Sequence, residues 1–220
     1  MTDQTRHEGS PEDPSFEGVY GPFTITALDR REVLGYRLAL LGVALAQAGL
    51  LLQWANWGSQ GLWAWLVLMA AGLGLALRWI HIYLRPLHRA LQLFWLLGCA
   101  GGLALALRQG PDAMLETLAG DSRWIWAVGP FFAALAGVGF KEFFCFQRPE
   151  AIGVTLLLPL ALLGRLVGLL DGRTTFILLA VEAALLLILT LRKFPMQAAA
   201  DVGDKSVFAY LESQRPPSRA

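Results

Sequence analysis

Four charged side chains stand among four phenylalanines in the stretch GFKEFFCFQRPE: Lys141, Glu142, Arg148 and Glu150. Carboxylates and cations this close together can move protons, pair as ions, or anchor a chain where apolar surface meets water. At helical spacing Lys141, Cys145 and Arg148 share one stripe, while the adjacent Lys141 and Glu142 point about 100° apart and are not expected to face each other. Lys141 can snorkel toward water. Glu142 cannot reach as far and needs a partner, for which Arg78 or His81 is available. Lys141, Glu142, Arg148, Arg78 and His81 therefore form a candidate interaction site on one face of the molecule, or simply a charged interfacial elbow.

A second pair lies deeper in apolar sequence. Glu182 stands within LLAVEAALLLIL and Arg165 within LALLGRLVGLL. Glu182 is eight residues into its apolar run, about 12 Å along a helix, and Arg165 is five residues from the end of its own, about 8 Å. A charge at such depth should be paired, neutral or turned to a cavity. The hairpin DGRT brings the two runs antiparallel, so a candidate intramembrane ion pair Arg165–Glu182 is expected.

Other chemistry is thinly supported. His81 and His88 are seven residues apart, about 10 Å on one helix face, too far to share a metal, and Pro86 disturbs that geometry. No metal site and no cofactor are expected, although a single histidine could ligate a pigment. Cys99 and Cys145 lack CxxC spacing and read as small apolar residues. Gln47 and Gln92 are lone amides in apolar runs, the type that glues helices together. No GxSxG, HExxH, Walker loop or dinucleotide fingerprint occurs, so no catalytic residue is assigned.

The elements that must carry these groups are apolar helices. The chain has 220 residues, of which 55% are hydrophobic and 16% charged, with mean hydropathy +0.50. Soluble domains carry about 25% charged residues. The apolar residues form runs rather than amphipathic periods, which marks membrane segments. Six spans are expected, at 34–54, 61–80, 90–107, 124–144, 151–170 and 174–191. Backbone polar groups must be satisfied internally in lipid, so these are helices. The fold class is all-α, a polytopic helical membrane bundle of about six transmembrane helices. Residues 1–21 read as a disordered polar tail, 22–193 as the transmembrane domain and 194–220 as a flexible C-terminal tail.

Arginine and lysine cluster at alternate ends: Arg30, Arg31 and Arg37, then Arg78, Arg85 and Arg89, then Lys141 and Arg148, then Arg192 and Lys193. By the positive-inside rule both termini are expected to be cytoplasmic. Trp54, Trp57, Trp63, Trp65, Trp124 and Trp126 gather at the opposite ends, as an interfacial belt would. There GPDAMLETLAGDSR is expected as a short surface helix with Pro111 at its first position. Asp29 is expected to cap the first helix, with Glu32 three residues on. Gly98/Gly102, Gly164/Gly168 and Ala133/Gly137 have helix-packing spacing. The net charge of +1 gives no reason to expect nucleic acid as a partner.

Two segments, FTITALDRREVLGYR and GFKEFFCFQRPEA, resemble a family of uncharacterised integral membrane proteins of cyanobacteria and related photosynthetic lineages, with the likeness running from about Pro22 to Arg192. The resemblance implies an inner (plasma) or thylakoid membrane and supplies no activity or site residue. The expected function is non-enzymatic: association with other membrane proteins, or assembly of a membrane complex, in a photosynthetic organism. The alternative is a small transporter or proton-coupled permease using Arg165 and Glu182. A third possibility, a lipid-modifying enzyme, would require Glu142, His81 and His88 to converge.

Overall fold

The computed structural model describes residues 13–214 except Tyr83, and omits the side chains of residues 208, 209 and 212. A hairpin of β1 (Ser15–Gly18) and β2 (Gly21–Thr24) leads into α1 (Ala27–Trp57). Then follow α2 (Trp63–Trp79), α3 (Arg85–Gln109), the short α4 (Met114–Gly120), α5 (Ile125–Phe146), α6 (Pro149–Leu166) and α7 (Gly172–Leu191). Two short helices, α8 (Ala198–Val202) and α9 (Ser206–Ser213), complete the described chain.

The helices α1, α3, α5, α6 and α7 are long and apolar enough to cross a membrane. At 17 residues, α2 is about 25 Å long, slightly short of a 30 Å hydrocarbon core. It must nevertheless cross. The Val19 amide donates to Asp204 at 2.7 Å and the Tyr20 amide to Ser206 Oγ at 3.0 Å, so the hairpin and α9 lie on the same face. An even number of crossings is therefore required, and α2 supplies the sixth.

Local sequence sets the helix ends. Thr26, rather than Asp29, is the N-cap of α1. Its hydroxyl accepts from the Asp29 amide, while Asp29 accepts from the Thr26 amide at 2.7 Å in a reciprocal capping box. Asp171 caps α7 by accepting from the Thr174 amide at 2.6 Å. Between α5 and α6, Gln147 takes a left-handed φ of 50°, Arg148 is extended and Pro149 opens α6. The opening stretch is thus a helix–elbow–helix. Pro111 lies before α4, which begins at Met114 instead.

The glycine pairs work differently from their spacing. A Cβ on Gly98 would lie 2.2 Å from the Phe131 amide nitrogen, and one on Gly101 would lie 2.0 Å from the Ala127 carbonyl oxygen. The close approach of α3 to α5 therefore uses Gly98 and Gly101, not Gly98 and Gly102. Gly164 and Gly168 end α6 rather than pack it. Gly168 has φ +77°, and the Leu169 and Leu170 amides both donate to the Gly164 carbonyl. Gly137 makes room for Leu91.

The terminal segments depart from the expected tails. Residues 15–24 pair as the hairpin, and 198–213 fold back as α8 and α9. Ile25, Val33 and Val202 form a small core between them, with Phe16, Phe23, Ala198 and Ala199 packed against it. Residues 1–12 and 215–220 lie outside the described residues. Far from this face, Trp54, Trp57, Trp63, Trp65, Trp124 and Trp126 gather at the ends of α1, α2 and α5, as the belt requires.

Candidate functional site

Two polar constellations stand out. The first is a buried charge cluster near the face that carries both termini. Glu142 is fully buried. Its Oε1 accepts from the Tyr36 hydroxyl at 2.6 Å and from Lys141 Nζ at 3.1 Å, and its Oε2 accepts from Lys193 Nζ at 2.5 Å. Lys193 also donates to Asp201 Oδ1 at 2.5 Å, and Arg37 donates to Asp201 Oδ2 through Nε at 2.8 Å and Nη2 at 2.5 Å. The Arg37 guanidinium further donates to the carbonyls of Met196 and Gln197. Three cations and two carboxylates thus tie α1, α5, the end of α7 and α8 together. The excess positive charge faces aromatic rings, with Lys193 Nζ 4.5 Å from the Phe146 centroid and Lys141 Nζ 5.4 Å from that of Tyr36. Every carboxylate oxygen here is bonded, so the cluster behaves as a clamp.

The expected five-residue interaction site is divided among separate surroundings. Lys141 and Glu142 do bond to each other, because the long lysine side chain bends back along the helix. Glu142 takes Tyr36 and Lys193 in place of Arg78 and His81. Arg148 lies 3.7 Å from Glu150, which accepts from Arg192 at 2.8 Å, and it donates to Met196 Sδ. His81 lies 3.6 Å from Glu32, and burial pushes its imidazolium below the ordinary value against the pull of Glu32. Arg78 is exposed at the end of α2. His88 lies 2.7 Å from the Leu77 carbonyl and 3.2 Å from Gln92, so Glu142, His81 and His88 do not converge.

Asp29, Glu32 and His81 bring three potential ligand atoms within 4.8 Å of one another. Asp29 Oδ2 is already engaged by the Thr26 amide and hydroxyl and by Lys205 Nζ at 2.8 Å. That ammonium opposes a second cation at the same oxygen.

The second constellation is at mid-helix. Glu182, fully buried on α7, accepts a hydrogen bond at Oε2 from Gln47 Nε2 of α1. The expected Arg165–Glu182 pair does not form. Glu182 faces α1, whereas the Arg165 guanidinium reaches the surface and donates to the Ala119 carbonyl of α4 at 2.7 Å. A cation there suits the carbonyl end of a short helix. Gln47 Oε1 and Glu182 Oε1 are buried without hydrogen-bond partners among the described residues.

Gln47 also lines a cavity of about 350 Å³ between α1, α2, α3 and α5. Its walls are apolar: Leu50, Trp54, Met69, Cys99 and Phe131 are representative, and no charged side chain among the described residues lines it. It spans the half of the bundle remote from the termini and is roofed by Pro111, Met114, Leu115 and Leu118. The roof is clasped at three points. Ser59 donates to Glu116 at 2.6 Å, the Gly61 amide to Asp112 at 2.8 Å, and Arg165 to Ala119.

Residues 75–210 match the model of a family described as uncharacterized integral membrane protein (DUF2301). The chain belongs to this family. It is an integral membrane protein, and a lipid bilayer is its environment. The match takes in the α5–α6 elbow and runs on through α8 into α9, whereas FTITALDRREVLGYR lies before it. No curated protein and no solved structure matches the chain.

Sequence reasoning missed Tyr36, Arg37, Lys193 and Asp201 as site residues. Arg37 stands three residues into the span expected at 34–54, too shallow for the depth rule applied to Glu182, and Asp201 stands in a segment expected to be a tail.

Proposed function

We propose that this member of the family acts by binding rather than by chemistry, holding a neutral lipophilic molecule in the cavity between α1, α2, α3 and α5. The cavity itself carries the proposal. At about 350 Å³ it falls within the range of small-ligand sites, roughly 300–1,000 Å³. Its uncharged lining disfavours a phosphate headgroup and favours an apolar guest. Protein purified in mild detergent and analysed by native mass spectrometry should retain a stoichiometric lipophile. Gly102→Phe should lose it: Gly102 lines the cavity and a Cβ there meets nothing nearer than Met114 Cε at 3.9 Å. Equal retention by both proteins would refute binding at this place. Assembly with other membrane proteins, in the inner or thylakoid membrane of a phototroph, is a compatible setting that the sequence resemblance suggests, and pull-down from that membrane tests it.

A second reading, a proton-coupled permease, draws support from Glu182 and its unpartnered oxygen at mid-helix. On the terminal side, Gln47 and Tyr36 are separated by about 16 Å of α1. Leu40, Val43 and Ala44 lie fully buried between them. Permeation would require that packed segment to open. Flux in liposomes that is lost in Glu182→Gln would favour the permease over static binding.

A further inference from the structure

We infer that the cavity is filled sideways from the bilayer, through a mouth between α2 and α3, and that its guest is the hydrocarbon chain of a membrane lipid. This rests on the binding reading above and names the guest's class and its route. Among the described lining residues the exposed ones are Trp63 and Val67 of α2, Leu103 of α3 and Pro111 at the edge of the roof. The walls supplied by α1 and α5 include Leu50, Leu51, Val128 and Phe131, all buried, so the cavity is shut on that side. Residues three, four and seven positions apart share a helix face. Ala64, Val67, Leu68, Ala71 and Leu75 make an exposed stripe on α2, and Leu96, Ala100, Leu103 and Leu107 make one on α3. In a bilayer such apolar stripes meet hydrocarbon. Val67 is 57% exposed and Leu103 61%, yet both line the cavity. A side chain that belongs both to a lipid-facing stripe and to a cavity wall stands at an opening between the two.

On the side nearer the termini the two helices are pinned together. Trp95 donates through Nε1 to the Ala70 carbonyl at 2.8 Å, and its ring lies against Gly74, where a Cβ would come within 2.6 Å of it. This indole forms the sill of the mouth. From Ala70 to Trp63, at the roofed end of α2, is seven residues, so the opening is about 10 Å tall. The roof itself is held shut by its bonds to Ser59, Gly61 and Arg165. A hydrocarbon chain crosses the mouth without ever leaving an apolar medium. A charged headgroup would give up its hydration against walls that offer it no charge. The chain therefore enters while the headgroup stays outside.

The test uses the full chain, delipidated and reconstituted in nanodiscs of phosphatidylcholine, a fraction of which carries a photoreactive diazirine midway along one acyl chain. After illumination, peptide mass spectrometry locates the adducts. The buried wall residues Leu50, Met69 and Phe131 should be labelled, as should Leu156 and Leu160 on the exposed face of α6. Leu103→Trp and, independently, Val67→Trp should lose the interior adducts. Labelling of Leu156 and Leu160 should stay unchanged, which shows that each variant is folded and embedded. Interior labelling that survives both substitutions would overturn the mouth between α2 and α3. Labelling of the unaltered protein confined to exposed faces would overturn the inference, and that result needs no variant to fold. The cavity reading would then stand if protein from its native membrane still retains a stoichiometric lipophile, and would fall with the inference if it retains none.

Discussion

Replacing Glu142 with Gln removes the carboxylate that holds two buried ammonium groups. The oxygens stand 2.5 Å from Lys193 Nζ and 3.1 Å from Lys141 Nζ. At an effective dielectric near 20, those separations correspond to attractions of about 7 and 5 kcal/mol. Hydration forgone on burial offsets much of this, several kcal/mol per ion, and breaking a buried pair by removing one partner typically costs about 3–5 kcal/mol. The folded-to-unfolded ratio should therefore fall between about a hundredfold and a few thousandfold. Reversible unfolding in mixed micelles, followed by tryptophan fluorescence, measures this. Glu142→Gln combined with Lys141→Met should recover part of the loss, because Lys141 is the ammonium left without a carboxylate, whereas Lys193 keeps Asp201. A single-variant loss below about 1 kcal/mol, or strict additivity in the double variant, would refute the clamp.

Other outcomes follow from the same structure. Gly101→Ala should destabilise by about 1–3 kcal/mol or more, since its Cβ would meet the Ala127 carbonyl on α5, whereas Gly102→Ala should be tolerated; comparative thermal stability in detergent decides between them. Arg165→Leu and Glu182→Leu should act additively, because the two side chains serve different partners; a coupling above about 0.5 kcal/mol in a double-mutant cycle would count against this placement. Asp204 is held below the ordinary carboxylate range, chiefly by the Ser206 hydroxyl and then by the Val19 amide. Its contribution is present above pH of about 4 and is lost as pH falls through its lower folded value. Hydrogen-exchange protection of the Val19 and Tyr20 amides should drop over that interval, and protection unchanged down to a pH of about 2 would exclude the carboxylate as the latch.

The crossings were legible in the sequence because apolar length is a local property, and each expected span overlaps a helix. Helix ends were legible to within a few residues, with Thr26 taking the cap expected of Asp29. What could not be read was lateral: which face of α7 meets which neighbour. Glu182 was expected to pair with Arg165, as the hairpin to α6 suggested, whereas rotation of α7 presents Glu182 to Gln47. Likewise Gly98 and Gly102 had the packing spacing, yet the register of α3 on α5 puts Gly101 at the contact and leaves Gly102 open to the cavity. The clamp was hidden for another reason. Asp201 stands in a short polar segment with no apolar period, and its burial depends on Arg37, 164 positions earlier. Such pairings arise only once the chain has closed on itself.

The claim that this bundle houses a neutral lipophile is tested most directly by an experimental density map of the protein taken from its native membrane. The expected result is a continuous elongated density between α1, α2, α3 and α5, filling the space beneath Pro111, Met114, Leu115 and Leu118. A cavity collapsed by inward movement of α2 and α3, or filled only by protein side chains, would contradict it.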